Sequence, residues 1–336
     1  GPSYYMWTTL DKGREALREK LADLAGCSKE EIAINRNTTE AVNTVTFGLN
    51  LKAGDEVVGC NLDYSHMVNG WKQREKRDGV VIKRAQLVLP EDDDAKIVKL
   101  YTDLFTSKTK VVHLTQMINY NGNLMPVKMI ADEAKKRGID VLMDAAHSFG
   151  LLDFKFPDTN CDYAGTSLHK FLGAPFGSGL LYVRKEKIKD VWPLLSAFDN
   201  EEDNIRKFEH LGTRSFASEM AIGTAVDFHN IIGTKRKEER LRYLKNYWSE
   251  KALKNPKVKL HTSTNPKHSC AIALFSIDGI KPEEIETKLF EKYSIHVPAI
   301  NRDNVHGVRV TTNVFTTTKD LDRLVKAIDE ICKESK

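Results

Sequence analysis

From Ile32 to Val183 the chain alternates short apolar runs with amphipathic stretches, and this alternation limits the folds open to it. The runs Ile32 to Asn35, Glu56 to Cys60, Val80 to Leu87, Lys110 to Thr115, Ile139 to Asp144, Tyr163 to Ser167 and Gly179 to Val183 read as seven strands. Helices are predicted between them: Thr39 to Leu49, around Val68 to Arg77, Ala95 to Leu104, and Pro126 to Arg137 with proline in its first turn. An earlier helix, Asp11 to Ala25, carries Leu17, Leu21 and Leu24 on one face and stops at Gly26. Strands alternating with helices build right-handed βαβ units, hence a mostly parallel sheet.

After about residue 215 the pattern changes. Ser215 to Leu253 reads as one long helical region. Its charged stretch, Lys235 to Arg242, reads as a solvated face with Glu238 and Glu239 as partners. Strands follow near Val258 to His261, Ala271 to Ile277, Ile295 and Val308, with helices Pro282 to Tyr293 and Asp320 to Lys333. The expected organisation is a large α/β domain over residues 1–230 and a smaller α+β domain over 231–336.

Composition removes several classes of function. Lys plus Arg is 51 against 47 for Asp plus Glu, a net charge of +4, with no long basic run, so nucleic acid is a poor default partner. No apolar run approaches the ~18 residues of a membrane span. The cysteines Cys27, Cys60, Cys161, Cys270 and Cys332 are odd in number and form no C-x-x-C pair. That speaks against a disulfide framework or structural zinc and for a reducing, cytoplasmic setting. The scattered histidines suggest no metal site. The start at Gly-Pro leaves an export signal ahead of Gly1 open.

In open α/β sheets, ligands gather beyond the carboxyl ends of the strands. Four strand-end features stand out. The polar turn Asn35 to Glu40 opens a helix, which suits a phosphate; taken alone, an ordinary N-cap is the better reading. Asp144 ends a buried strand and needs a partner, either a cationic heteroaromatic nitrogen or a local turn. Lys170 follows Ser167 and His169 and precedes a glycine-rich loop, which suits Schiff-base chemistry, although a single lysine is usually a surface residue. Arg309 lies in a late strand as a carboxylate fork or an ordinary ion-pair partner. Together, an acid, a lysine one strand later, a phosphate-type turn upstream and an arginine downstream are the parts of a pyridoxal 5'-phosphate (PLP) enzyme.

From Tyr4 to Ile331 the chain resembles the class V aminotransferase family of fold-type I PLP enzymes. Its Asp144 and the run Ser167-Leu-His169-Lys170 carry the most specific likeness. The resemblance implies a large domain with a mostly parallel seven-stranded sheet and a smaller C-terminal α+β domain. It puts Thr38 and Thr39 on the cofactor phosphate and Tyr64, with His66 second, on the ring face. It puts Asn119 on the ring hydroxyl or the substrate, Asp144 on the pyridine nitrogen and His147 near the ring oxygen. Ser167 and His169 fall on the phosphate side, and Lys170 is the Schiff-base lysine. Gly212-Thr213-Arg214 matches a loop that reaches a neighbouring subunit's phosphate, implying a homodimer with shared sites, and Arg309 matches the substrate-carboxylate arginine. Pro2 to Trp7, Asp63-Tyr64 and Val68 to Arg74 are most similar to the isopenicillin N epimerase-like branch. Two departures stand out. Family desulfurases carry a nucleophilic cysteine before the carboxylate arginine, and Pro298 to His306 has none. Members usually carry a further N-terminal segment lining the substrate site, which has no counterpart here.

The expected function is chemistry at the α-carbon of an amino acid or aminoacyl substrate, epimerase- or racemase-like. Lys170 and Asp144 are catalytic, and Tyr64 is the candidate acid on the second face. An aminotransferase or a β-eliminating C–S lyase uses the same residues. A nicotinamide dehydrogenase, which lacks its glycine fingerprint here, and a non-catalytic scaffold are distant alternatives.

Overall fold

The computed structural model of the chain describes residues 1–198, 201–212 and 214–334. The chain divides into two compact units. The first comprises residues 1–85, 98–116 and 126–234; the second comprises 86–97, 117–125 and 235–336. The second unit therefore includes two segments from the early part of the sequence.

In the first unit a short helix α1 (Pro2–Tyr5) runs through Met6–Leu10 into α2 (Asp11–Ala25). Gly26, at φ 72°, ends α2 in the left-handed conformation that glycine adopts without penalty. Then come β1 (Ile32–Asn35), α3 (Thr38–Gly48), β2 (Glu56–Cys60), α4 (Ser65–Asp78) and β3 (Val81–Ala85). Helix α5 (Asp94–Thr102) begins in the second unit's segment and ends in the first. It is followed by β4 (Thr109–Thr115), α6 (Val127–Lys135), β5 (Asp140–Asp144), β6 (Tyr163–Ser167), β7 (Gly179–Val183) and α7 (Phe216–Ile232). The seven strands form one sheet in the order β1-β7-β6-β5-β4-β2-β3. All pairs from β3 to β6 are parallel; β7 runs antiparallel to both β6 and β1. One core joins Ala41, Val42 and Val45 of α3 and Met67 and Trp71 of α4 to Val57, Val111, Leu142 and Leu181 of the sheet.

The second unit holds α8 (Thr234–Ala252, but for its first residue), β8 (Val258–Leu260), β9 (Ile272–Ile277), α9 (Pro282–Tyr293), β10 (Ala299–Arg302), β11 (Val305–Thr311) and α10 (Thr318–Glu334). Its four strands pair antiparallel in the order β10-β11-β9-β8. No described helix is long and apolar enough to cross a membrane.

Three expectations need correction. The stretch from Ser215 to Leu253 is two helices, because Gly233 at φ 85° interrupts it. The strand expected near Ile295 lies at Ala299–Arg302, because Ser294 turns left-handed at the end of α9 and the next residues stay outside the sheet. The charged stretch of α8 is not wholly solvated: Arg242 pairs with Glu238 as expected, but Lys237 is buried.

The apolar face of α2 also contains a charge. Arg18 is fully buried, donating to the Ile32 carbonyl at 2.6 Å and to Glu209 at 2.9 Å. Removing one member of a buried pair strands the other. Arg18→Leu should therefore lower the unfolding free energy by about 3–5 kcal/mol, measured by urea denaturation. A second pair nearby is partly exposed. Arg206 donates to Glu15 and holds its carboxyl down at about 2, below its ordinary 4.5. The sign follows from the depressed value: the pair's contribution is complete above pH 4.5 and fades as pH falls toward 2. The stability gap between wild type and Arg206→Ala should be widest near neutral pH and close on acidification, as read from urea midpoints at several pH values.

Candidate active site

The carboxyl ends of β2, β4, β5 and β6 fall on Cys60, Thr115, Asp144 and Ser167. At that same edge the antiparallel strand β7 begins, and Gly179 pairs with Ser167 on one side and Asn35 on the other. A side chain is impossible at Gly179: a Cβ there would stand 2.4 Å from the Asn37 amide nitrogen. The turn before α3 therefore lies directly against β7. Asn37 caps the helix by accepting from the Glu40 amide at 2.9 Å. Thr38, next in line, is buried and bonds to Ser167 Oγ twice, through its amide at 2.9 Å and its hydroxyl at 2.7 Å. Thr39 is half-buried in the same first turn.

Asp144 is only 3% exposed. It accepts one hydrogen bond, from the Ala146 amide to Oδ1 at 2.9 Å, and forms no ion pair with a described residue. Beyond β6, Lys170 Nζ lies 3.4 Å from His147 Nε2. His169 packs on Phe176 at 5.4 Å and has a buried Nδ1 without a partner. Burial first, and the Lys170 ammonium second, push the His169 imidazole below its usual range; a Ser178 main-chain contact works the other way. Tyr64 precedes α4, and its ring stacks on His66 at 5.0 Å with 24° between planes. Asp63, which the sequence marks only as the residue before Tyr64, is a buried carboxyl.

In the second unit, Arg309 on β11 donates to the main-chain carbonyl of Asn119 at 2.8 Å. Its Nε is buried without a partner, and burial lowers the guanidinium, with Tyr120 opposing. Residues singled out separately in the sequence lie together in each unit: Thr38 with Ser167 and Lys170 with His147 in the first, Asn119 with Arg309 in the second. The Asn119 contact runs through the backbone rather than the side chain. Thr213 lies outside the described residues. Among the described residues no group of His, Cys, Asp and Glu could hold a metal ion.

A model of the aminotransferase class-V family matches residues 5–324. The chain belongs to the class-V aminotransferase family. Isopenicillin N epimerase of Amycolatopsis lactamdurans is 26% identical over 352 residues, spanning 99% of this chain and 88% of its own length. A probable cysteine desulfurase of Synechocystis sp. is 30% identical, over 81% of this chain and 67% of its own. Among solved structures, the apo cysteine desulfurase of Thermococcus onnurineus NA1 superposes with a TM-score of 0.84 at 22% identity, covering 97% of this chain and 85% of that one. The fold is therefore fold-type I, as the sequence led one to expect.

The class-V family is PLP-dependent, and the residues present fit that cofactor. A buried carboxylate with no cation of its own suits a protonated pyridine nitrogen. The orphaned His169 Nδ1, the Thr38 and Ser167 hydroxyls and the amides opening α3 form a donor set suited to phosphate. Lys170 supplies the amine.

The His169 shift has two causes, and one is removable. Lys170→Ala takes away the neighbouring ammonium and leaves the burial. The His169 imidazole should then titrate closer to its usual 6.5, followed by NMR of the histidine ring protons in the cofactor-free chain.

Proposed function

We propose that this class-V enzyme acts at the α-carbon of an amino acid or aminoacyl substrate and inverts it, as an epimerase or racemase. The observation that carries the α-carbon chemistry is the pairing of a cation-free buried carboxylate, Asp144, with the Lys170 amine set against His147. When bound, PLP supplies an electron-poor ring that acidifies the α-C–H bond of an attached amine. In this reading Asp144 holds the positive ring nitrogen, and Thr38, Thr39, Ser167 and His169 hold the phosphate. Arg309 takes the substrate carboxylate, and Asn119 contacts the ring hydroxyl or the substrate. Lys170 Nζ removes the α-proton, with His147 Nε2 within reach of that amine to exchange it. Tyr64 returns a proton from the second face.

Two observations favour the epimerase reading over desulfurase chemistry. Pro298 to His306 contains no cysteine. None of the five cysteines is in a disulfide, and burial pushes every thiol up, Cys27, Cys161 and Cys270 to about 12, away from the thiolate a nucleophile needs. An elimination that leaves no sulfur on the enzyme needs no thiol, so a C–S lyase and an aminotransferase are the competing outcomes. We further propose a homodimer in which Thr213 reaches the neighbouring phosphate. The exposed apolar run Trp192, Leu194, Leu195 and Phe198 in the first unit supports a second copy.

The test is α-proton exchange in heavy water with PLP-loaded chain, a panel of L-amino acids and no keto-acid acceptor. Exchange accompanied by the D-enantiomer is expected. Lys170→Ala should abolish exchange, and Tyr64→Phe should keep exchange and lose inversion. Keto acid or pyruvate appearing in place of the D-form would sink the epimerase reading and leave an aminotransferase or a lyase.

A further inference from the structure

The turn that presents Tyr64 is fastened by one carboxyl. Both oxygens of Asp63 are engaged: Oδ2 accepts from the Cys60 amide at 2.6 Å and Oδ1 from the Thr115 hydroxyl at 2.7 Å. Cys60 ends β2 and Thr115 ends β4, so a single side chain spans the last residues of two paired strands. Thr115 is in register with Asp144 on β5, and in-register neighbours in a sheet point their side chains to the same face. Asp63 therefore lies beside the site carboxylate. Burial pushes its carboxyl up, His113 works against that, and Asp144 adds to it. The room is made by a glycine: a Cβ on Gly59 would come within 2.8 Å of Asp63 Oδ2. On the other side, the next residue along the chain is Tyr64.

We propose that Asp63 is a positioning residue that sets the Tyr64 ring against the strand neighbouring Asp144, and so fixes how the aromatic face meets the cofactor ring. The inference rests on the reading above in which Tyr64 faces the cofactor. The residue type follows from the partners. The Cys60 amide can only donate and the Thr115 hydroxyl donates here, and a carboxylate accepts from both. Asparagine could accept from only one of them, and its NH2 would reverse the Thr115 hydrogen bond or oppose the Cys60 amide.

The experiment is visible circular dichroism of the PLP-loaded chain, scaled to bound cofactor, with retention of PLP followed during dialysis. Thr115→Val removes the hydroxyl with little change of shape. Gly59→Ala pushes on Oδ2 from the opposite side, and Asp63→Asn replaces the carboxylate itself. Each should lower the visible ellipticity per bound cofactor and weaken retention about fivefold, the scale of one lost hydrogen bond. Should Asp63→Asn fail to fold, the other two variants decide. A purely structural Asp63 would lower the unfolding temperature of the cofactor-free chain and leave the ellipticity per bound cofactor at the wild-type value; that result overturns the proposal. A wild-type chain that takes up no PLP overturns the functional reading, and this inference with it.

Discussion

The Ser167 hydroxyl joins the two features on which the candidate site rests. It accepts from the Thr38 amide and shares a second hydrogen bond with the Thr38 hydroxyl, tying the first turn of α3 to the end of β6. Three residues later comes Lys170. The contact exists because β7 starts with a glycine between Ser167 and Asn35, and the Asn37 backbone occupies the space a side chain would need. A residue larger than glycine would lift the turn off the sheet. The helix start and the lysine would then no longer be set relative to each other. A pattern of hydrogen bonds two residues deep thus determines whether a phosphate and an amine can be addressed from one edge.

Buried charge divides in an informative way. Arg18 is sealed in the first unit with its charge matched by Glu209 and a carbonyl on its terminal nitrogens, although its Nε too is unpartnered. Asp144 is nearly as buried and, among the described residues, meets only the Ala146 amide. Arg309 donates to a carbonyl and keeps an orphaned Nε. An isolated charge in a protein interior is costly unless something compensates it. The compensated one reads as architecture. The uncompensated ones read as places where a ligand completes the electrostatics.

The strand framework was legible because each strand combines an apolar run with a turn signal. Tyr163–Ser167 and Gly179–Val183 fall where the pattern puts them, and α2 and α9 match at both ends. Arg18 was not legible, because periodicity marks which face of a helix is inward but not that a charge on it will find Glu209 many residues away. Lys237 is likewise a buried charge, on a helix face whose run of charges reads as solvated. In the site, Asp144, Ser167 and Lys170 were marked by their positions at strand ends. Asp63 carries no such mark: an acid after a strand looks like a turn residue until Thr115, 52 positions further on, is seen to donate to it. The backbone role of Asn119 toward Arg309 was equally hidden, since a main-chain carbonyl has no sequence signature.

The two units are interleaved along the chain in six alternating segments. A cut at one peptide bond, wherever it is made, cannot release either unit whole. Removing everything after residue 234 would leave residues 86–97 and 117–125 without the framework they belong to, Asn119 among them. The smaller unit is therefore not a cassette that recombination could exchange between related genes at a single junction. Variation in it has to come residue by residue, under the constraint that the excursions out of the larger unit continue to close.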